Sequence, residues 1–257
     1  MTAYLDELFS LRGRIAVVTG GSSGIGRGIA LALGQAGAAV VIIARDPANL
    51  QNAVSELTTA GCESATVSAD LGDRAALDRA ADEALAAFGA PDILVNCAGL
   101  NLRPPMADLN IEQWDQLMAV NLTAPFLLGQ RFGPLMAGRG WGRIINVTSQ
   151  QADRAFGNSG GYGATKGGVA SLTRSQSEAW AASGVCCNAI CPGFVVTPLT
   201  TEVSADPARL AALAARTMVG RNGLPGDFAG AAVFLAGRAS DYVTGQMIRV
   251  DGGFSAT

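Results

Sequence analysis

The chain has 257 residues, of which 49% are hydrophobic and 15% charged, with a net charge of −3 and no histidine. That length suits one large domain or two small ones, and the balance predicts a compact globule rather than a disordered chain. The mildly acidic charge offers no polybasic face for nucleic acid or a membrane surface, and runs such as AAVVIIA at 38–44 are too short to span a bilayer.

The opening MTAYLDELFSLRGR carries early acids and no long apolar stretch, so no secretory leader is expected. Strands are predicted at 15–18, 40–43, 65–68, 93–95, 143–147, 185–190 and 247–250, with helical segments between them. The early strands are continuous apolar runs, as in sheets covered on both faces. Asp46 with Pro47 reads as a cap and first-turn proline, and Gly61 closes that helix. Asp73 opens the next helix and Gly89 ends it; Asn110 opens another, and Gly184 follows a helix begun near Tyr162.

Seven strands alternating with helices predict a single α/β domain over 1–257, a Rossmann-type doubly wound sheet with seven parallel strands and helices on both faces. In such sheets ligands bind beyond the carboxyl ends of the strands, so functional residues are expected just after strands.

After the first strand comes TGGSSGIGRGI at 19–29, with Gly20, Gly24 and Gly26 spaced GxxxGxG before a helix. A glycine turn lets backbone approach a pyrophosphate, and a helix N-terminus supplies free N–H groups. The spacing differs from the GxGxxG fingerprint, and a glycine-rich strand-to-helix turn of no special function has the same look. About 20 residues on, where an acid would mark NAD, stands Ala44, and beside it Arg45. Arg45 is either a 2′-phosphate partner, which favours NADP(H) over NAD(H), or a solvated loop charge.

The stretch GGYGATKGGV at 160–169 places Tyr162 and Lys166 four residues apart on one helix face. Bringing a tyrosine from a pKa of ~10 to about 7 takes roughly 4 kcal/mol. A lysine ammonium about 6 Å away, at an effective dielectric near 20, supplies roughly 3 kcal/mol, and an oxidised nicotinamide would add to it. A tyrosine tuned by lysine is then able to serve as general acid and base in a chain without histidine. Gly163, Gly167 and Gly168 each cost about 1 kcal/mol in a helix, which the close approach of a cofactor or another helix would explain.

Taken together, TGGSSGIG at 19–26, Asp70, NCAG at 96–99, Asn121, Ser149, YGATK at 162–166, Pro192-Gly193 with Thr197, and VDGG at 250–253 resemble the short-chain dehydrogenase/reductase family over nearly the whole chain. The resemblance implies an NAD(P)-dependent oxidoreductase acting on a carbonyl or secondary alcohol, with Asn121, Ser149, Tyr162 and Lys166 as the catalytic set. Ser149, thirteen residues before Tyr162, would bond the substrate oxygen. Tyr162 would give or take its proton, Lys166 would lower the tyrosine pKa and hold the nicotinamide ribose, and Asn121 would position a water.

The same resemblance gives the cofactor-binding set as Gly20, Ser22, Ser23, Gly24, Ile25, Gly26, Arg45, Asp70, Leu71, Asn96, Ala98, Gly99, Tyr162, Lys166, Pro192, Gly193, Val195 and Thr197. Asp70 would contact adenine, and Thr197 with the Val195 backbone the nicotinamide amide. Two departures stand out: Cys97 replaces the usual second asparagine of NNAG, and Ser23 lacks the basic side chain of many NADP-using relatives. Cys97 is expected to adjust local strand packing.

GNSGG at 157–161 and GGSSG at 20–24 match the elbow of serine hydrolases, but a Ser–His–acid triad needs a histidine. A silent nucleotide-binding sensor or scaffold is the alternative the fold permits. Five cysteines (Cys62, Cys97, Cys186, Cys187 and Cys191), without a CxxC pair or histidine, give no metal framework and read as buried thiols in a reducing cytoplasm. The segment around 194–218, with Val195, Val196, Leu199, Leu210 and Leu213, is expected to form a lid. The opening ELFSLRGR, Arg103 and Gln151 are similar to sugar-acid reductases of the gluconate 5-dehydrogenase type. That likeness implies a carboxylate on Arg103 and a hydroxyl on Gln151, unless Arg103 is a solvated loop charge. Relatives usually form tetramers, so a homotetramer or homodimer is expected.

Overall fold

The computed structural model describes residues 3–256; Met1, Thr2 and Thr257, which the expected boundaries 1–257 include, lie outside the described residues. Seven strands form one parallel sheet: β1 (Ile15–Thr19), β2 (Ala39–Ala44), β3 (Ser64–Ser68), β4 (Ile93–Asn96), β5 (Gly142–Val147), β6 (Val185–Pro192) and β7 (Met247–Val250), in the order β3-β2-β1-β4-β5-β6-β7. The order reverses between β1 and β4, and such a reversal opens a crevice at the carboxyl ends.

The helices are α1 (Ala3–Phe9), α2 (Gly24–Gln35), α3 (Pro47–Thr59), α4 (Arg74–Phe88), α5 (Ile111–Met118), α6 (Ala124–Gly138), α7 (Gly160–Trp180), α8 (Thr201–Ser204), α9 (Pro207–Ala215) and α10 (Ala229–Ala236). Alternate strand residues feed opposite layers because successive Cβ atoms point to opposite faces. Val18, Ile42, Val95 and Ile145 pack with Ile29 and Leu33 of α2, Leu57 of α3 and Leu235 of α10. Val17, Val41, Leu94 and Ile144 pack with Leu77 and Ala84 of α4 and Phe132 of α6. Each of these large side chains, once removed from water, contributes about 1.5–3 kcal/mol.

The punctuation read from the sequence is the punctuation observed. Asp46 accepts from Asn49 N, Asp73 accepts from the N–H groups of Ala75 and Ala76, and Asn110 forms a reciprocal capping pair with Gln113. The largest difference in the strands is at β6, which runs on to Pro192 because Cys191 and Pro192 still pair with Arg249 and Val250 of β7. A proline is tolerated there, at the strand end. Helices α1 and α10 carried no clear signal: α1 has no buried residue and α10 is apolar almost all round.

Candidate active site

The strand ends deliver two adjoining cavities that share Gly20, Ser23, Ala98 and Gly99. Thr19 ends β1, and the chain turns through Gly20, at φ +68°, into α2 at Gly24, at φ +52°. A Cβ on Gly26 would lie 2.3 Å from the Gly20 carbonyl oxygen, so the turn closes only over glycine. Ser23 begins α2 without a side-chain cap. The first-turn N–H groups of Gly24, Ile25 and Gly26 therefore remain available at the cavity lining, where an anion would complete them.

One cavity runs past Ser22, Arg45, Asp70 and Leu71, the other past Ser149, Tyr162, Lys166, Pro192, Gly193, Val195 and Thr197. Arg45 is exposed at its rim, and Asp70 accepts from Gly72 N at 2.9 Å. An uncapped helix start between a cavity lined by Arg45, Asp46 and Asp70 and a tyrosine-bearing one fits a dinucleotide laid across the β1–β4 reversal. Asn96 lies in neither cavity. It is buried in β4, where its Nδ2 donates to Asn146 Oδ1 at 2.8 Å while its own Oδ1 has no partner among the described residues.

Helix α7 brings Tyr162 and Lys166 to the second cavity, both buried. Of the two close approaches expected for its glycines, a cofactor or another helix, Gly168 meets the second, against Leu122 in the helical turn before α6, while Gly163 and Gly167 meet loop backbone. A Cβ on Gly163 would meet Gln151 O at 3.1 Å, one on Gly167 would meet Ala152 O at 3.2 Å, and one on Gly168 would meet Leu122 Cδ2 at 2.8 Å. The bare face of α7 thus receives the backbone of the loop after Ser149 and carries that serine to the tyrosine.

Lys166 Nζ donates to the Val147 carbonyl at 2.7 Å and lies 5.6 Å from the Tyr162 ring centroid. Burial dominates the electrostatics. It pushes the phenol up to about 12, with the neighbouring Ser149 hydroxyl pulling the other way, and the ammonium down to about 8. In the protein alone desolvation outweighs the downward pull of the Ser149 hydroxyl and, more weakly, of Arg103, so the tyrosine rests protonated.

Asn121 sits in a π-turn between α5 and α6, spanning Ala119–Thr123, and is fully buried. Its Oδ1 accepts from Leu100 N at 2.9 Å, while its Nδ2 donates to Leu100 O at 2.9 Å and to Thr165 Oγ1 at 3.2 Å. Its amide is committed to protein partners, stapling the loop after β4 to α7. Cys97 lines the tyrosine cavity, and burial raises its thiol to about 11, which makes it a poor nucleophile.

Arg103 and Gln151 also line this cavity, and Arg103 Nη2 donates to Gly157 O at 3.5 Å. Two further lining residues, Asn101 and Gln150, escaped the sequence reading. Asn101 Oδ1, Gln150 Oε1 and Gln151 Oε1 are buried without a hydrogen-bond partner among the described residues. Their signal was present as polar side chains immediately after the Ala98-Gly99 and Ser149 positions. In the segment around 194–218, Val195 is buried while Val196 and Leu199 stay exposed.

A family model described as enoyl-(acyl carrier protein) reductase matches residues 20–255. The chain is 38% identical over 251 residues to the gluconate 5-dehydrogenase of Gluconobacter oxydans (strain 621H), covering 98% of each chain. It is 40% identical over 252 residues to the 2-dehydro-3-deoxy-D-gluconate 5-dehydrogenase of Pseudoalteromonas atlantica, covering 96% of this chain and 98% of the relative. Among solved structures, a gluconate 5-dehydrogenase from Burkholderia cenocepacia J2315 in complex with NADP and tartrate superimposes with a TM-score of 0.93 at 38% identity, covering 98% of this chain and 99% of the other.

Proposed function

The chain belongs to the short-chain dehydrogenase/reductase family and is an NAD(P)-dependent oxidoreductase of CH–OH groups, and from that premise we propose that it acts with NADP(H) on a polyhydroxylated carboxylic acid. One observation carries the substrate class. The cavity that holds Ser149, Tyr162 and Lys166 also gathers one guanidinium, Arg103, and the partnerless amide oxygens of Asn101, Gln150 and Gln151. A buried acceptor without a donor costs about 1–3 kcal/mol. Hydroxyl groups relieve that cost, and a carboxylate answers the guanidinium. The similar relatives named for gluconate and its deoxy-keto form, and the tartrate bound in one of them, agree with this chemistry.

Arg45 supports NADP(H) over NAD(H), since Ala44 rather than an acid stands about 20 residues after Gly24 and the exposed Arg45 guanidinium, beside Asp46, can take a 2′-phosphate. The adenosine side is assigned to Ser22, Arg45, Asp70 and Leu71. The pyrophosphate goes to the N–H groups of Gly24, Ile25 and Gly26, and the nicotinamide side to Tyr162, Lys166, Pro192, Gly193, Val195 and Thr197. Bound there, the nicotinamide supplies or accepts the hydride.

The chain's own residues handle the proton. In reduction, Tyr162 Oη donates its proton to the substrate oxygen as that oxygen gains charge, while the Ser149 hydroxyl gives it a second hydrogen bond. Lys166 holds a positive charge beside the phenolate left behind. In oxidation the phenolate form of Tyr162 accepts the alcohol proton. The segment around 194–218 closes over the substrate and excludes water.

The protein is assigned to the cytoplasm, where its five unpaired cysteines stay reduced, and to a homotetramer built on α6 and α7, whose outer apolar side chains include Phe126 and Leu135. The test is the near-ultraviolet absorbance of the nicotinamide on mixing with NADPH or NADH and a panel of keto acids, keto sugars and simple ketones. NADPH-dependent turnover of hydroxylated keto acids that Tyr162→Phe abolishes is the expected result. Turnover confined to apolar ketones would overturn the substrate class.

A further inference from the structure

The closing VDGG has no role in the chemistry above, yet it is tied, at positions outside the cavity lining, to both segments that wall the tyrosine cavity, the loop after Ser149 and the lid. Asp251 folds the tail back by accepting from Gly253 N and Ser255 N, each at 3.0 Å. Gly252 and Gly253 follow at φ +63° and +82°. A Cβ on either would strike the end of the lid, at 2.6 Å from Val219 Cγ2 and 2.7 Å from Met218 Sδ. Val219 N donates to Gly252 O at 3.2 Å, so the lid's last turn is hydrogen-bonded to the tail.

Phe254 then inserts between the walls, 1% exposed. On one side its ring stacks on Phe156, centroids 6.2 Å apart, in the loop that begins at Ser149. On the other, the Arg216 guanidinium, just past α9, lies 4.2 Å from the ring centroid. Two further ties bind the serine loop to the same terminal segment: Arg154 Nη2 donates to Ser255 O at 2.5 Å, and Asp153 pairs with Arg249 of β7.

We propose that Phe254 is a positioning residue that sets the spacing between the serine loop and the lid, so that affinity for the acidic substrate depends on a side chain outside the cavity. The double glycine before it exists to let the lid rest on the tail, and the aromatic ring transmits the position of one wall to the other. Stacking and cation–π contacts of this kind add to those ties, one on each side of the ring. The proposal rests on the reading of the cavity as a substrate site only for its kinetic consequence; the mechanical coupling stands apart from it.

The experiment compares the full-length protein with Phe254→Ala and with Arg216→Ala, which removes only the exposed lid-side contact. Hydrogen exchange is expected to accelerate about tenfold in both 150–158 and 207–219 in Phe254→Ala, with 15–35 unchanged, and in 207–219 alone in Arg216→Ala. The KM for the keto acid rises about fivefold or more in Phe254→Ala and less in Arg216→Ala, while kcat and the NADPH dissociation constant stay within about twofold. Should Phe254→Ala not fold, the Arg216→Ala pattern decides the matter. Unchanged exchange in the lid, or a KM that moves only together with kcat, would overturn the proposal. Failure of the wild-type protein to turn over any hydroxylated acid, with the exchange pattern as stated, would instead remove the substrate reading and leave the coupling standing.

Discussion

Lys166 reaches past the Tyr162 ring, its Nζ 5.6 Å from the centroid, and commits a hydrogen bond to the Val147 carbonyl at 2.7 Å. The pair is therefore fixed from below by the last residue of β5. Burial holds the phenol protonated, with its pKa pushed up to about 12. A proton donor is ready at neutral pH, whereas a proton acceptor has to be made by removing that proton. Alcohol oxidation is expected to climb as pH rises from about 7 to 9, while ketone reduction does not climb. Initial rates in both directions at saturating cofactor decide this; an oxidation rate that is flat with pH would contradict it.

Lys166 has a consequence for stability. Its pKa in the folded protein lies near 8, below the 10.5 of the unfolded chain, because burial disfavours the ammonium. The unfolded state thus binds more protons between about 8 and 10.5, and stability from this group rises with pH across that window. Below about 8 the penalty is present in full, a few kcal/mol by order of magnitude. Lys166→Met, which also leaves the Val147 carbonyl without its donor, is expected to abolish turnover and raise the melting midpoint by roughly 2–4 °C at pH 7. The advantage should vanish by pH 10.5. A variant less stable than wild type at pH 7, or an advantage independent of pH, would refute the assignment.

Gly163→Ala improves helix propensity by about 1 kcal/mol. It also drives a methyl group to 3.1 Å from the Gln151 carbonyl, two residues after Ser149. We expect kcat to fall about tenfold or more through displacement of the serine loop, with the melting midpoint unchanged or higher. Full activity would show that the loop tolerates the shift.

Arg45→Ala should raise the KM for NADPH about tenfold or more and leave NADH kinetics within about twofold, as expected for a charge-assisted bond to a 2′-phosphate. Equal effects on both cofactors would place Arg45 elsewhere in the adenosine site.

Arg103→Ala should raise the KM for a keto acid about tenfold and leave a neutral keto sugar unaffected, because only the acid loses a charged partner. An unchanged KM for the acid would return Arg103 to a loop charge held against Gly157.

The sequence by itself determined the strands, the helix starts at Asp46, Asp73 and Asn110, and the chemical pair. Continuous apolar runs specify strands covered on both faces, and Asp46, Asp73 and Asn110 are local signals that need no distant partner. Tyr162 and Lys166 meet because an α-helix places residues four apart on one face. Tertiary structure decided what local spacing has no means to encode. Asn96 bonds Asn146 across the sheet, and Gly163 and Gly167 face the backbone of a loop more than ten residues away in sequence. Burial, which no motif states, reversed the direction expected for the tyrosine. Asn101 and Gln150 joined Arg103 only when the ends of β4 and β5 came together, and Phe254 met Phe156 and Arg216 only once the chain had closed. Contacts between residues far apart in sequence carry no period, so they become visible only when the fold has brought them within reach.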